Sequence, residues 1–121
     1  MNAVNNLKMK TFPEKFKSVL VNKPDNYLFP FLWVHNEDDE LLIREIEKIY
    51  QSGIRALCIE SRTHEEFGNA AWWSDVQLIL DECKKRGMEV WLLDDKHFPT
   101  GGANGMASAP ENAHLRKHII T

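Results

Sequence analysis

Three apolar runs of strand length divide the chain into repeating units. They read YLFPFLWVH, IRALCIE and MEVWLLD, and the last two are nearly continuous in apolar residues. Continuous runs of this length are typical of strands that are covered on both faces, as in a parallel sheet. We therefore predict strands near residues 28–35, 54–60 and 88–94, with Pro30 near the start of the first because proline cannot donate a ladder hydrogen bond.

Between these runs, apolar residues recur at the spacing of one helical face. This periodicity predicts helices near residues 38–52 and 71–86, each followed by a glycine, Gly53 or Gly87, that permits a left-handed exit. The resulting order is β-α-β-α-β, an α/β arrangement with parallel strands and right-handed crossovers. The apolar faces consist of Leu42, Ile46, Ile49 and Tyr50 in the first helix and of Trp72, Val76, Ile79, Leu80 and Cys83 in the second.

The chain divides into a lead-in segment, residues 1–26, and a sheet-forming domain, residues 27–121. The lead-in has a pattern that indicates a short helix around residues 14–21, and the stretch at residues 110–121 is expected to start a last helix. Two helices on one face of three parallel strands leave the other face bare. We therefore expect a piece of a larger α/β protein, whose sheet is completed by the remainder of that protein or by self-association.

Composition argues against several classes of partner. Of the 121 residues, 43% are hydrophobic and 27% are charged, which is ordinary for one globular domain. The net charge of -3 comes from interleaved acids and bases, so nucleic acid is not an expected partner. Because no apolar run has the length of a signal peptide or a membrane span, we predict a cytoplasmic protein without a membrane partner, in which Cys58 and Cys83 are free buried thiols.

Polar side chains follow each predicted strand at its carboxyl end. In parallel α/β folds these ends meet at one edge of the sheet, where the ligand crevice or the barrel mouth lies. Every such strand must also end in polar residues, so capping of the following loop is the alternative interpretation. The residues concerned are His35 and Asn36 after the first strand, Glu60, Arg62 and His64 after the second, and Asp94, Asp95 and His97 after the third.

Three further features bear on what these strand ends bind. Trp73 lies off the buried stripe near the start of its helix, where it can stack on a sugar ring or anchor a surface loop. Asp94, Asp95 and His97 are residue types that bind metals, which leaves a metal-dependent hydrolase open, although Lys96 adds a positive charge and no spacing is as specific as H-E-x-x-H. The TGGANG stretch has no lysine-serine or lysine-threonine pair after it, so it favours a turn or a flexible loop over a nucleotide site, and no cofactor is predicted.

A long stretch of the chain resembles a known group of enzymes. The run CIESRTHEEFGNAAWWSDVQLILDECKKRGMEVWLLDDKHFPTGGANG is similar to the start of the catalytic barrel in bacterial glycoside hydrolase-like proteins. In those sequences a strand ending in ESR-H precedes a segment of the form WW-D---IL-E--K--GM-VWLLDD-HFPTG-ANG, and the upstream PFLWVHNEDDELLIREIEKIYQSGI also looks like their first strand and helix. The resemblance spans roughly residues 28–118, and Gly102 stands where that family has a bulkier, often aromatic, residue.

The resemblance implies that the chain is the first third of a (β/α)8 TIM barrel, which binds a carbohydrate at the carboxyl ends of its strands and hydrolyses glycosidic bonds. It also implies that the acid/base and the nucleophile lie on the fourth and seventh strands, beyond Thr121, so that the isolated chain is inactive. The strand-end residues and Trp73 would then position the substrate. Glu60 and Asp94, on adjacent strands, are the alternative catalytic pair. A non-catalytic α/β binding or assembly module is the remaining alternative.

Overall fold

The computed structural model describes residues 12–116 and shows an α/β fold with one three-stranded parallel sheet. The predicted β-α-β-α-β order is confirmed, with a further helix in front of the first strand. The strands lie side by side in chain order. The elements are α1 (Phe12–Leu20), β1 (Phe31–Val34), α2 (Asp39–Gln51), β2 (Ala56–Ser61), α3 (Ala70–Lys85) and β3 (Glu89–Leu92), followed by 3-10 segments at Ala103–Ser108 and Pro110–Leu115.

The first and third strands are shorter than the sequence pattern predicts. β1 begins at Phe31, directly after Pro30, whose carbonyl oxygen accepts a 2.9 Å hydrogen bond from the amide of Cys58. Because a proline can accept in a sheet but cannot donate, regular pairing starts only after it. At the other edge, the amide of Leu93 still donates to the carbonyl of Ile59 at 2.9 Å, and the chain leaves the sheet beyond this bond.

The helix boundaries follow from capping interactions. Asp38 caps α2, since its Oδ1 accepts a 2.8 Å hydrogen bond from the amide of Leu41. α3 is followed by Gly87, which has a φ of 63° and lets the amide of Met88 reach back to the carbonyl of Cys83 at 2.9 Å. This left-handed turn directs the chain into β3.

One face of the sheet carries the hydrophobic core. α2 and α3 cover this face, and alternate residues of β1 and β2 point into it. Leu80, expected on the buried face of α3, is 41% exposed, whereas Ile79 and Cys83, also expected there, are buried. The buried apolar residues are Leu32, Val34, Leu42, Ile46, Leu57, Ile59, Trp72, Val76, Ile79, Cys83 and Met88.

No helix within residues 12–116 shields the aromatic rings on the opposite face of the sheet, which we call the uncovered face. Phe31 is 56% exposed, Trp33 is 54% exposed and Trp91 is 60% exposed. Between them lies Cys58 on the central strand, which pairs in register with both Phe31 and Trp91. Two helices on one face of three strands thus leave these rings in contact with solvent.

The two ends of the described chain are less regular. α1 confirms the short helix expected in the lead-in segment. The Ser18 hydroxyl on this helix donates to the carbonyl of Lys15 at 2.7 Å and lies 3.3 Å from Oδ2 of Asp25. The last helix expected from residue 110 takes the form of a short 3-10 segment, Pro110–Leu115, whose side chains are mostly exposed, while residues 117–121 lie outside the described residues. Within the described range, none of the helices is both long enough and apolar enough to cross a bilayer.

Candidate functional site

Glu60, near the end of β2, is a buried carboxylate with both oxygens engaged. Its side chain is 2% exposed and lies opposite Trp33 in the register of β1 and β2. The indole Nε1 of Trp33 donates a 2.8 Å hydrogen bond to Oε2, and Nη2 of Arg62 lies 3.0 Å from Oε1. A buried carboxylate is costly unless it is paired in this way, so the three side chains form one unit on the uncovered face.

The guanidinium group of Arg62 lies between two aromatic rings. Its Cζ atom is 5.4 Å from the ring centroid of Trp33 and 4.7 Å from that of Phe98, in the loop after β3. These distances are within the range of cation–π attraction. Nε of Arg62 is buried and has no hydrogen-bond partner among the described residues. The carboxyl edge of the sheet therefore presents two aromatic rings beside a donor that is not used.

Asp95 is a second buried acid at this edge, and its oxygens lack partners. The side chain is 1% exposed, yet neither carboxylate oxygen accepts a hydrogen bond within residues 12–116. Burial raises the pKa of the Cys58 thiol, and the negative charges of Glu60 and Asp95 raise it further. Both acids therefore lie near Cys58. Because buried polar groups in folded proteins nearly always have partners, Asp95 is a candidate ligand contact.

His64 lies inside the protein, against α3. Its amide donates to Oγ of Ser61 at 2.8 Å, and its Nε2 is 3.0 Å from Oδ2 of Asp75. The ring also contacts Trp72 edge-on, with the two ring centroids 5.3 Å apart. The side chain is fully buried. These contacts tie the loop after β2 to α3, and the structure does not bring His64 to the exposed edge.

The two predicted residues after β1 lie at the expected edge and take part in loop contacts. Nδ1 of His35 is 2.7 Å from Oε1 of Glu37, and the His35 amide donates to Oε2 of the same carboxylate at 2.7 Å. Burial by itself raises the pKa of Glu37, but these hydrogen bonds lower it overall. Oδ1 of Asn36 accepts a 2.9 Å hydrogen bond from the amide of Glu65, which joins the loops after β1 and β2.

The remaining predicted residues are exposed. Asp94 accepts a 3.1 Å hydrogen bond from the amide of Gly101 and so closes the loop after β3, and His97 lies in the same loop. Trp73 donates from Nε1 to the carbonyl of Gly68 at 3.1 Å, while its side chain stays 52% exposed. Trp73 therefore anchors the loop before α3 and still offers a ring to solvent.

The metal-dependent alternative finds no ligand set in this part of the chain. Within residues 12–116, no group of three or more His, Cys, Asp and Glu side chains is placed to hold a metal ion. Asp94 bonds to Gly101 in an exposed loop, whereas Asp95 is buried near Cys58. The DDKH stretch therefore does not converge on one point.

Two contributors to the site, Trp33 and Phe98, are not singled out by the sequence analysis. Trp33 reads as an ordinary strand residue, and its role depends on facing Glu60 across the ladder. The alternation of exposed and buried residues that places Trp33 on the uncovered face is visible only in the structure, because the strand FLWV is apolar at every position. Phe98 has no sequence signal either, because it lies in an irregular loop.

The structure thus establishes an α/β fold with a parallel sheet, and a cluster of aromatic and charged side chains at the carboxyl edge of that sheet. No family model matches the chain, and no match is found among curated proteins or solved structures.

Proposed function

We propose that the chain is part of a carbohydrate-active hydrolase, in which it forms the first third of a (β/α)8 barrel and binds a sugar at the carboxyl ends of its strands. The resemblance of residues 28–118 to glycoside hydrolase-like proteins motivates this proposal. Three parallel strands with intervening helices are compatible with such a barrel. In a closed barrel, the uncovered face would form the interior.

The observation that carries the proposal is the unit formed by Trp33, Glu60 and Arg62. Sugars present weakly apolar C–H faces beside hydroxyl groups, so a sugar site combines aromatic rings with polar donors and acceptors. Trp33 and Phe98 supply exposed rings, and Arg62 supplies a buried Nε that has no partner in the described chain. Asp95 adds two buried carboxylate oxygens that likewise have no partner in the described chain.

Glu60 suits a positioning role better than proton transfer. Both of its oxygens are occupied, one by Trp33 and the other by Arg62. Glycoside hydrolysis requires two carboxyl groups that flank the scissile bond, and Asp94, the other candidate, already bonds to Gly101 in an exposed loop. The proposal therefore places the acid/base and the nucleophile on later strands of the barrel, and Glu60 orients Arg62 and the sugar.

Calorimetric titration of the 121-residue chain with a panel of oligosaccharides tests the proposal. We expect Trp33→Ala to weaken binding about tenfold or more, because it removes a stacking ring and the hydrogen bond that orients Glu60. Trp91→Ala is the matched control, since this equally exposed ring contacts Phe29 and bonds to Glu89 instead. Equal losses in both variants, or no binding by the parent chain, would contradict the proposal. Aryl glycosides should show no turnover by the isolated chain.

A non-catalytic assembly module is the second candidate. The observation in its favour is the uncovered face, where Phe31, Trp33 and Trp91 are exposed and where β1 and β3 pair only with β2 in the described chain. Exposed apolar patches of this kind mark interaction surfaces. Glu60→Gln separates the two candidates. It should weaken sugar binding in the first, whereas in the second the parent chain binds no sugar and its assembly is unchanged by the substitution.

A further inference from the structure

The charges at the carboxyl edge of the sheet do not balance. Glu60 is paired with Arg62 at 3.0 Å, whereas Asp95 accepts no hydrogen bond from any described residue. Lys96, the base next to Asp95 in the chain, donates instead to the carbonyl of Glu65 at 3.2 Å. The site therefore carries one carboxylate that no cation of the described chain neutralises.

Burial makes this imbalance costly. Asp95 is 1% exposed, so bulk solvent does not reach its carboxylate, and a buried polar group without a partner destabilises a fold. Such a group needs an explanation, and a ligand that supplies donors and positive charge is one. Nε of Arg62 is a second buried atom in this site without a partner.

The Cys58 thiol responds to the same negative charges. Its pKa is raised first by burial and then by the charges of Glu60 and Asp95. Cys58 lies on the central strand, between Phe31 and Trp91 in register. Of the two acids near Cys58, Glu60 is paired with Arg62, whereas Asp95 has no partner among the described residues.

We propose that the ligand of this site is a positively charged sugar, such as an amino sugar, whose ammonium group is directed at Asp95. This inference rests on the proposed sugar-binding function and specifies its substrate class. The sugar ring stacks on Trp33, and a hydroxyl group accepts from Nε of Arg62. A uronic acid is rejected, because its carboxylate would meet Asp95 where the nearby guanidinium is already paired. A neutral sugar should bind with an affinity between those of the amino sugar and the uronic acid.

Ligand entry requires a local rearrangement. Asp95 is closed off from solvent, and it lies in the irregular segment that follows β3. The same segment carries Phe98, which is 66% exposed over the guanidinium of Arg62. The last ladder hydrogen bond of β3 is made by Leu93, so we expect a shift of the segment beyond it to expose the carboxylate at the cost of the hydrogen bond from Lys96 to Glu65.

Three methyl glycosides that differ in charge test the inference by calorimetry on the 121-residue chain. They are a glucosaminide, a glucoside and a glucuronide, each repeated in the galacto series so that one wrong epimer does not decide the result. We expect the glucosaminide to bind about tenfold tighter than the glucoside or more, because one charge pair in a partly desolvated site is worth at least that factor. The glucuronide should bind more weakly than the glucoside.

Asp95→Asn keeps the shape of the side chain and removes its charge. The preference for the glucosaminide should then fall to about threefold or less, while glucoside binding changes little. Asp81→Asn is the matched control, because Asp81 is exposed on α3 and bonds to Gln77, and this variant should keep the full preference. Circular dichroism verifies that both variants retain their helices.

The outcomes separate the inference from the proposed function. If the parent chain binds the glucuronide as tightly as the glucosaminide, or more tightly, the inference is overturned and sugar binding is left intact. If a folded Asp95→Asn variant keeps the full preference for the glucosaminide, the inference is likewise overturned and sugar binding is left intact. Failure of every sugar in both series to bind overturns the proposed function itself. If Asp95→Asn does not fold, the ranking measured with the parent chain decides.

Discussion

The indole Nε1 of Trp33 donates a 2.8 Å hydrogen bond to Oε2 of Glu60, and the two residues are also partners in the register of β1 and β2. The ring of Trp33 is 54% exposed, whereas the carboxylate of Glu60 is 2% exposed. Because the strand pairing holds both residues, the position of the ring is set by the sheet and not by a loop. A ring held in this way needs little ordering when a ligand binds.

Trp33→Phe keeps a ring on the uncovered face but removes the indole N–H. We expect the free energy of unfolding to fall by about 1 kcal/mol, because one oxygen of buried Glu60 loses its donor. Trp91→Phe is the control, since its indole bonds at 3.0 Å to Glu89, which is less buried, and this change should cost about 0.5 kcal/mol or less. Urea unfolding measures both. Equal losses would show that the bond to Glu60 has no special weight.

Arg62→Ala leaves Glu60 buried without its cation. We expect a loss of about 3 kcal/mol, at the low end for a broken buried pair because the Arg62 side chain is 28% exposed. The exposed pair Lys48–Glu45 provides the contrast, with side chains 61% and 42% exposed, and Lys48→Ala should cost about 0.5 kcal/mol or less.

The double variant Arg62→Ala/Glu60→Gln identifies the cause of that loss. It should recover part of the stability, because the buried charge is removed together with its partner. If thermal and urea unfolding show no recovery, the contribution of Arg62 comes from its contacts with Trp33 and Phe98 instead.

Asp95→Asn should stabilise the chain. A neutral amide is cheaper to bury than a carboxylate without a partner, so we expect the free energy of unfolding to rise by about 1–3 kcal/mol. Asp81→Asn, on the exposed side of α3, should change it by about 0.5 kcal/mol or less. Such a gain would be typical of a residue kept for binding at the expense of stability. A clear loss of stability, measured by urea unfolding, would show that Asp95 has a structural role.

Burial raises the pKa of Cys83 to about 11, since this thiol lies in the apolar core. In the unfolded chain a thiol has a pKa of about 8.5, so it ionises there at lower pH than in the folded chain. The resulting stabilisation is complete below about pH 8.5 and declines by up to about 3 kcal/mol as the pH rises toward 11. The Cys83→Ala variant should be less stable at every pH, but its stability should fall less steeply as the pH rises. If its stability falls as steeply as that of the parent chain, other titrating groups cause the loss.

The uncovered face predicts self-association of the isolated chain. The rings of Phe31 and Trp91, on either side of Cys58, leave roughly 270 Å² exposed, worth on the order of 5–10 kcal/mol if a second copy buries it. Light scattering should therefore show dimers or larger species at micromolar concentration. Phe31→Lys combined with Trp91→Lys should yield monomers, whereas Leu80→Lys on α3 should not. A parent chain that stays monomeric would contradict this prediction.

The order of the elements could be predicted from the sequence, because the spacing of apolar residues reports which faces are buried. Continuous apolar runs indicate a parallel sheet, and Gly87 marks the turn from α3 into β3. The uncovered face also followed, since two helices cannot cover both sides of three strands. The strand ends were less well predicted, because they depend on where ladder hydrogen bonds stop.

The roles of the polar strand-end residues were decided only by the tertiary structure. Glu60 and His64 have the same parity, so a continued strand would place them on one face, yet Glu60 bonds to Trp33 and His64 packs against α3. Asp95 has the same parity as Trp91, so a continued strand would place both on the uncovered face, yet Trp91 is 60% exposed and Asp95 is buried. Past the end of a strand the alternation of side chains no longer holds, and the path of the loop decides where each one points.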